Sequence, residues 1–281
     1  MQQLSGMDSK LKLSVVIPAH NEEGCLQKTV EDLTQHLDRS LIPHEIVVIN
    51  DHSKDSTEAV LKELVQKYRS VVYYNNTDEG GFGLAIRHGL VRASGDAVAV
   101  YMADASDRPE DLVKFYRTMI DRDVDCVFGT RFSPYSRIYD YPKLKLVLNR
   151  IANKAIQLIF GLKYNDCTNA FKLYRREVIE GAQPFLSHHF NLTVELPLKA
   201  IIRGYSFAIV PNDWINRETG ESKLKIREMG SRYLFIMIYC FIEKWLSRGD
   251  YVRREAELDQ NVITSPSQND APDRVDSPEI H

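Results

Sequence analysis

Asp96-Ala97-Val98-Ala99-Val100-Tyr101-Met102-Ala103-Asp104-Ala105-Ser106-Asp107-Arg108-Pro109 is a run of small and β-branched residues that passes without a break into an acidic loop and then a helix start. Such a run suits a strand covered on both faces. In open α/β sheets, ligands gather beyond the carboxyl ends of strands of this kind. Asp104 and Asp107 stand at that end. Carboxylates there would repel a bare pyrophosphate, so the placement calls for a divalent cation between them; hard oxygen ligands, with Ser106 close by, suit Mg²⁺ or Mn²⁺. The plainer reading has Asp107 cap the helix that starts at Pro109 and Asp104 merely end a strand.

The flanking sequence repeats the same unit. Leu13-Ser14-Val15-Val16-Ile17-Pro18 reads as a buried strand, and Asn21-Glu22-Glu23 as the cap of a helix with Leu26, Val30, Leu33 and Leu37 at helical period. Glu45 to Asp51 is a second strand with an acidic end, followed by a helix from Glu58 to Tyr68. Val71 to Tyr74 is a third strand, leading through Gly80-Gly81-Phe82-Gly83 into a helix from Leu84 to Ala93. Beyond Pro109 come a helix to Arg122 and a strand at Cys126 to Gly129. This alternation predicts a doubly wound, mostly parallel sheet flanked by helices. The glycines match no dinucleotide or P-loop spacing, so they imply close backbone approach and no named cofactor.

From Pro142 to Leu162 apolar residues keep helical spacing on one face, while Lys143, Lys145, Asn149, Arg150, Asn153 and Lys154 fill the other. The C-terminal part adds a short strand near Ala170 to Leu173, a helix from Val194 to Arg203, a strand at Phe207 to Val210 and an irregular loop from Asn216 to Lys223. A last helix runs from Ile226 to Leu246, with an unbroken apolar run from Tyr233 to Ile242 between Arg232 and Lys244, Trp245 and Arg248. That run is too short to span a bilayer, and its aromatic and cationic ends suit a lipid interface; burial against the sheet or in a homo-oligomer is the competing expectation.

The bulk numbers set outer limits. A chain of 281 residues, 43% apolar and 27% charged, buries a full core as one large domain with appendages. The formal charge of −3 supplies no broad basic field, so nucleic acid is not an expected partner. Four cysteines without metal spacing fit a reducing compartment, and Met1 to Lys10 carries no apolar signal core. The expectation is a cytoplasmic protein.

Three acidic or polar strand ends, Pro18 to Glu22, Asn50-Asp51 and Asp104, would surround one crevice in such a sheet. Arg131, Lys145, Arg150, Arg217 and Lys223 come from distant segments and could close over it as an anion clamp, although a solvated surface charge is the plainer reading for each alone. His188 and His189 lack a third ligand and read as loop or core residues.

Taken together, the segments Ser14 to Glu22, Ile49 to Thr57, Asp104 to Glu110, Gly129 to Phe132, Asp166 to Lys172 and Arg217 to Leu224 resemble a family-2 glycosyltransferase of the GT-A fold, and most of all its dolichol- or polyprenol-phosphate mannosyltransferase branch. The resemblance covers Leu13 to about Trp245. It implies that Pro18, His20, Glu22, Asn50 and Asp51 hold the nucleotide, that Asp104 with Ser106 binds Mg²⁺ or Mn²⁺ on the diphosphate, and that Arg131, Lys145 and Asn149 face an acceptor phosphate. Arg131, Arg217 and Lys223 would join Asp104 in the catalytic set. Met102 stands where the family usually has the first Asp of Asp-x-Asp, and His20 replaces a usual aromatic.

The implied reaction is inverting transfer of a sugar from a GDP- or UDP-linked donor to a polyprenyl phosphate. An acceptor phosphate is already anionic near neutral pH and needs no dedicated base. The alternatives are transfer to a glycan hydroxyl, or a degenerate sugar-nucleotide-binding scaffold motivated by Met102. The corresponding layout is an N-terminal extension over residues 1–10, a catalytic domain over 11–230, an apolar and membrane-interfacial helix over 231–250 and a disordered tail over 251–281. The enzyme would then work peripherally on the cytoplasmic face of a membrane.

Overall fold

The computed structural model describes residues 11–216 and 226–253, the side chains of 226–229 excepted. The N-terminal extension, Arg217, Lys223 and the tail from residue 254 therefore lie outside the described residues.

β1 (Leu13–Ala19) is buried at every position and is followed by α1 (Leu26–Arg39). The unit repeats as β2 (His44–Asn50) with α2 (Thr57–Lys67) and as β3 (Val71–Asn75) with α3 (Phe82–Arg92). β4 (Ala97–Val100) is fully buried, and α4 (Pro109–Asp121) leads to β5 (Cys126–Thr130). The second half holds β6 (Ile138–Tyr139), α5 (Lys143–Phe160), β7 (Lys172–Arg175), α6 (Arg176–Gly181) and α7 (Leu192–Ile202), then β8 (Phe207–Pro211), β9 (Trp214–Ile215) and α8 (Ile226–Leu246).

Seven strands form one sheet in the order β3-β2-β1-β4-β7-β5-β8, with β7 antiparallel to both of its neighbours and the other pairs parallel. Side-chain alternation explains why β4 reads as apolar throughout. Ala97 and Ala99 pack with α1 and α4 on one face, while Val98 and Val100 pack with α3 and the C-terminal helices on the other. The doubly wound, mostly parallel architecture expected from the alternation is the one observed.

Three local expectations are corrected. β4 stops at Val100 rather than running on to Asp104, because residues 101–107 fold back on themselves. The Tyr101 hydroxyl donates to the Asp107 carbonyl at 2.6 Å, and the Met102 N–H donates to the Asp107 carboxylate at 3.2 Å. Asp107 thus does not cap α4, whose N-cap is Arg108 with no side-chain cap bond. Asn21 to Glu23 do not cap α1 either; Asn21 Oδ1 accepts the Lys54 N–H at 2.7 Å and a Glu23 carboxylate oxygen accepts the Ser56 N–H at 2.7 Å, so the first βα loop is laced to the second. Of the segment assigned to the tail, residues 251–253 are described: Arg253 donates to Asp125 at 3.0 Å and its N–H to the Arg203 carbonyl at 2.8 Å.

The amino edge of the sheet is fastened by Glu45, which accepts hydrogen bonds from Lys12 Nζ (2.7 Å), the Ser14 hydroxyl (2.6 Å) and the Ser94 N–H (2.6 Å). Burial alone would raise this carboxyl, but those donors outweigh it and hold the group down at about 2. A depressed folded-state value contributes stability above the unfolded value of 4.5 and loses it as pH falls from there toward 2. Glu45→Gln should therefore lower the melting temperature by about 3 °C near pH 7, a partly exposed site being worth about 1 kcal/mol, and the gap to the parent protein should close by pH 2.5. Thermal melts of both proteins across that range check it, and a gap independent of pH would contradict it.

Candidate active site

A cleft of about 660 Å³ opens at the carboxyl edge of β1, β2 and β4. Pro18, His20 and Glu22 line it from the end of β1, Asp51 from β2, and Asp104, Ser106 and Asp107 from the loop after β4. Arg131 follows β5, and Lys145 and Asn149 reach in from α5. All but four of the residues expected at the site thus meet in one place. Arg217 and Lys223 lie outside the described residues. Asn50 does not line the cleft: its side-chain amide donates sideways to Asn75 Oδ1 at 2.7 Å, tying β2 to its register partner on β3. Arg150 also stays outside, exposed, with its guanidinium over the Phe132 ring at 4.8 Å.

The loop after β4 is aimed by its own bonds. Thr29 of α1 donates to the Ala103 carbonyl at 3.0 Å, and the Ser106 N–H donates to Asp104 Oδ1 at 3.2 Å. Ala105 between them has φ 57°, a strained value for a residue with a Cβ. Asp104 and Asp107 are each about 95% buried. Burial, reinforced by the Asp104 charge, pushes the Asp107 carboxyl up to about 7. A positive charge between two buried carboxylates would offset what raises Asp107, so the donor set fits a hard divalent cation. Among the described residues no group of three His, Cys, Asp or Glu side chains could hold a metal by itself. A cation here would complete its shell from substrate phosphates and water, as Mg²⁺ commonly does.

Asp51 works differently from a simple base-binding carboxylate. It accepts the Gly81 N–H at 2.9 Å and the Asn76 amide at 2.8 Å, with His52 Nδ1 at 3.1 Å, so it also fastens the glycine loop to the sheet. His20 Nδ1 is within hydrogen-bond reach of the Asp51 carbonyl, which fixes the ring at the rim. The glycines answer to close packing within the protein: a Cβ on Gly83 would lie 2.7 Å from the His189 carbonyl oxygen, and one on Gly81 would lie 2.6 Å from that of His188. His188 and His189 belong to this loop contact, and Phe82 stacks on Phe190 with centroids 4.0 Å apart in the cleft wall.

The cationic side is built around a residue that the sequence reading did not single out. Asp166 is wholly buried, and Arg131 donates to it from Nε (2.9 Å), Nη2 (2.7 Å) and the backbone (2.8 Å). Arg131 is therefore not a solvated charge; its guanidinium is held edge-on by a carboxylate while it lines the cleft. Behind the same wall the buried Lys172 ammonium donates to the carbonyls of Cys167, Asn169 and Thr193, and burial draws it down to about 8. Tyr141 hydrogen-bonds Asn149 and packs on Trp214 at 4.6 Å, with Lys145 Nζ 5.6 Å from its ring. Trp214 belongs to the two-residue strand β9, paired with β6, a pairing too short to leave a pattern in the sequence. From α5, Lys145 and Asn149 reach into the cleft and Asn153 is buried, while Leu144, Val147, Ile151 and Leu158 are exposed and Ile156 and Phe160 turn to the core.

The fold matches that of solved enzymes of the GT-A class. Glucosyl-3-phosphoglycerate synthase from Mycobacterium tuberculosis, solved in complex with UDP, aligns with a TM-score of 0.64 at 17% identity, over 82% of this chain and 80% of that one. The fold is thus of the GT-A type. Residues 14–181, more than half of the chain, match the family described as "Glycosyl transferase family 2", and the chain belongs to that family of glycosyltransferases. A polyprenol monophosphomannose synthase from Mycolicibacterium smegmatis is 28% identical over 75% of this chain and 80% of its own length. A dolichol-phosphate mannosyltransferase from Pyrococcus furiosus is 31% identical over 76% of this chain and 60% of its own.

Proposed function

We propose that this glycosyltransferase moves a hexose, with inversion, from a nucleotide sugar to the phosphate of a polyprenyl phosphate. The observation that carries the reading is what one cleft brings together: a buried carboxylate pair, Asp104 and Asp107, with Arg131, Lys145 and Asn149. The named functions of the two relatives, both acting toward polyprenol or dolichol phosphate, support the acceptor class. Pro18, His20, Glu22 and Asp51 would seat the nucleoside.

Mg²⁺ or Mn²⁺, held by Asp104 with Asp107 or Ser106, would neutralise charge on the leaving nucleoside diphosphate. Arg131, pinned by Asp166, and Lys145 would orient the anionic groups in line. Asn149 would donate to the acceptor phosphate. An acceptor phosphate oxygen forms the new bond to the anomeric carbon as the bond to the diphosphate breaks, and no side chain need remove a proton.

Incubating the protein with GDP- and UDP-linked hexoses, a polyprenyl phosphate and Mg²⁺ or Mn²⁺, with chelator controls, tests the reading. Sugar appearing on the lipid phosphate supports it. Transfer only to a glycan hydroxyl, or tight nucleotide-sugar binding with no transfer, would replace it. Arg217 and Lys223 enter by resemblance alone, as groups on the substrate phosphates. Arg217→Lys keeps the charge and loses the bidentate fork, so the rate should fall at least about tenfold with little loss of nucleotide affinity. An unchanged rate removes Arg217 from the catalytic set.

A further inference from the structure

Lys172 opens β7 in the middle of the sheet, level with Val100 of β4 and Phe128 of β5, where an aliphatic side chain would fill the same space. It is 1% exposed. Burying an ammonium is costly unless its N–H groups find acceptors. The acceptors here are the backbone carbonyls of Asn169, of Cys167 at 3.0 Å and of Thr193 at 3.2 Å, and none is a carboxylate. A charge held by carbonyls orders backbone, and this backbone is a wall of the cleft.

The carbonyls come from two elements. Cys167 and Asn169 belong to the loop before β7, and Thr193 to the first turn of α7, where it lines the cleft. The groups expected to meet an anion hang from the loop. Asp166, next to Cys167, accepts three N–H groups of Arg131. Thr168, between the two carbonyls, exchanges bonds with α5: its N–H donates to Asn153 Oδ1 at 3.2 Å, and Asn153 Nδ2 donates to the Thr168 hydroxyl and to the Asn149 carbonyl, each at 2.9 Å. The loop thus connects the Arg131 guanidinium to the turn of α5 that carries Asn149.

We propose that Lys172 is a positioning residue for phosphate binding: its ammonium holds residues 166–169 against α7 in the shape that presents Arg131 and Asn149 to one anion. The claim rests on the proposed function in taking that anion to be the acceptor phosphate.

Titrating a water-soluble short-chain isoprenyl phosphate into the full chain with UDP or GDP present, and titrating the nucleotides alone, reads binding apart from turnover. Lys172→Met keeps most of the length and removes the charge and its donors. It should weaken isoprenyl phosphate binding at least about tenfold, and transfer with it, while nucleotide affinity stays within about twofold. A lysine that only supported the fold would lower the folded fraction and leave both affinities unchanged.

The parent protein supplies a measurement that needs no variant to fold. Burial draws Lys172 down from its ordinary 10.5 to about 8, among Cys167, Asp166, Arg131 and Asp107, with the Tyr164 ring 6.0 Å away. Burial pushes the Cys167 thiol up to about 12, so it keeps its proton in this window. Isoprenyl phosphate binding should therefore weaken as pH rises from about 7.5 to 9.5, while nucleotide binding holds. Over that window the folded chain carries fewer protons on Lys172 than the unfolded one, so this group's contribution to stability rises and the loss is not one of fold. Lys172→Arg, charged throughout, should bind without the alkaline loss. Nucleotide and isoprenyl phosphate affinities that fall together or not at all in Lys172→Met, isoprenyl phosphate binding that stays flat to about pH 9.5 in the parent, or the same alkaline loss in Lys172→Arg, would each overturn the proposal. A parent that binds isoprenyl phosphate in this manner but transfers no sugar to it would leave Lys172 its role and remove the acceptor reading.

Discussion

Asp104→Asn is expected to cut turnover by roughly 10³-fold while the melting temperature moves by no more than about 2 °C. The substitution keeps the shape of the side chain and the acceptor for the Ser106 N–H, which is 3.2 Å from Asp104 Oδ1. It removes one negative charge from a buried pair. For the proposed reaction, in which a diphosphate leaves, the loss falls on the transition state, where charge develops. In the protein without substrate the same change relieves repulsion, because the Asp104 charge is one of the causes that raise Asp107. Steady-state rates at saturating donor, with thermal melts, check both halves. Near-normal turnover would end the assignment of Asp104 to the metal.

Asp166→Ala is expected to cost about 3–5 kcal/mol and about 10 °C in melting temperature, and to abolish activity. The reason is the partner left behind: Arg131 is 8% exposed and would keep a buried charge with three N–H donors unsatisfied. Replacing both members, Arg131→Met with Asp166→Leu, should recover most of the stability, since an apolar pair of similar volume avoids the desolvation penalty. It should not recover activity. Denaturant unfolding and transfer assays on the single and double variants separate the two roles. A stable and active double variant would make the pair purely structural.

The extent to which this chain was legible follows from which interactions are local. Strand and helix order could be read from Leu13 to Ala93 because βα alternation writes its period into consecutive residues, and the clustering of Pro18, Glu22, Asp51 and Asp104 followed from parallel strands ending on one edge. Asn50 was misplaced for a physical reason: the last residue of a strand has the cleft on one side and a neighbouring strand on the other. The partner that captured it, Asn75, is 25 residues away.

Composition and periodicity by themselves determined an α/β sheet, its acidic carboxyl edge and two amphipathic or apolar helices after it. Only the tertiary structure decided that β7 enters the sheet antiparallel, that Asp166 converts Arg131 from a surface charge into a fixed one, and that α5 turns Lys145, Asn149 and Asn153 inward. A helical pattern states that two faces differ, but which face turns inward depends on what the rest of the chain places opposite. Here that is a cleft lined by Thr168, Asn169 and Tyr141, so turning Lys145, Asn149 and Asn153 toward it satisfies polar groups and leaves Leu144, Val147, Ile151 and Leu158 outside.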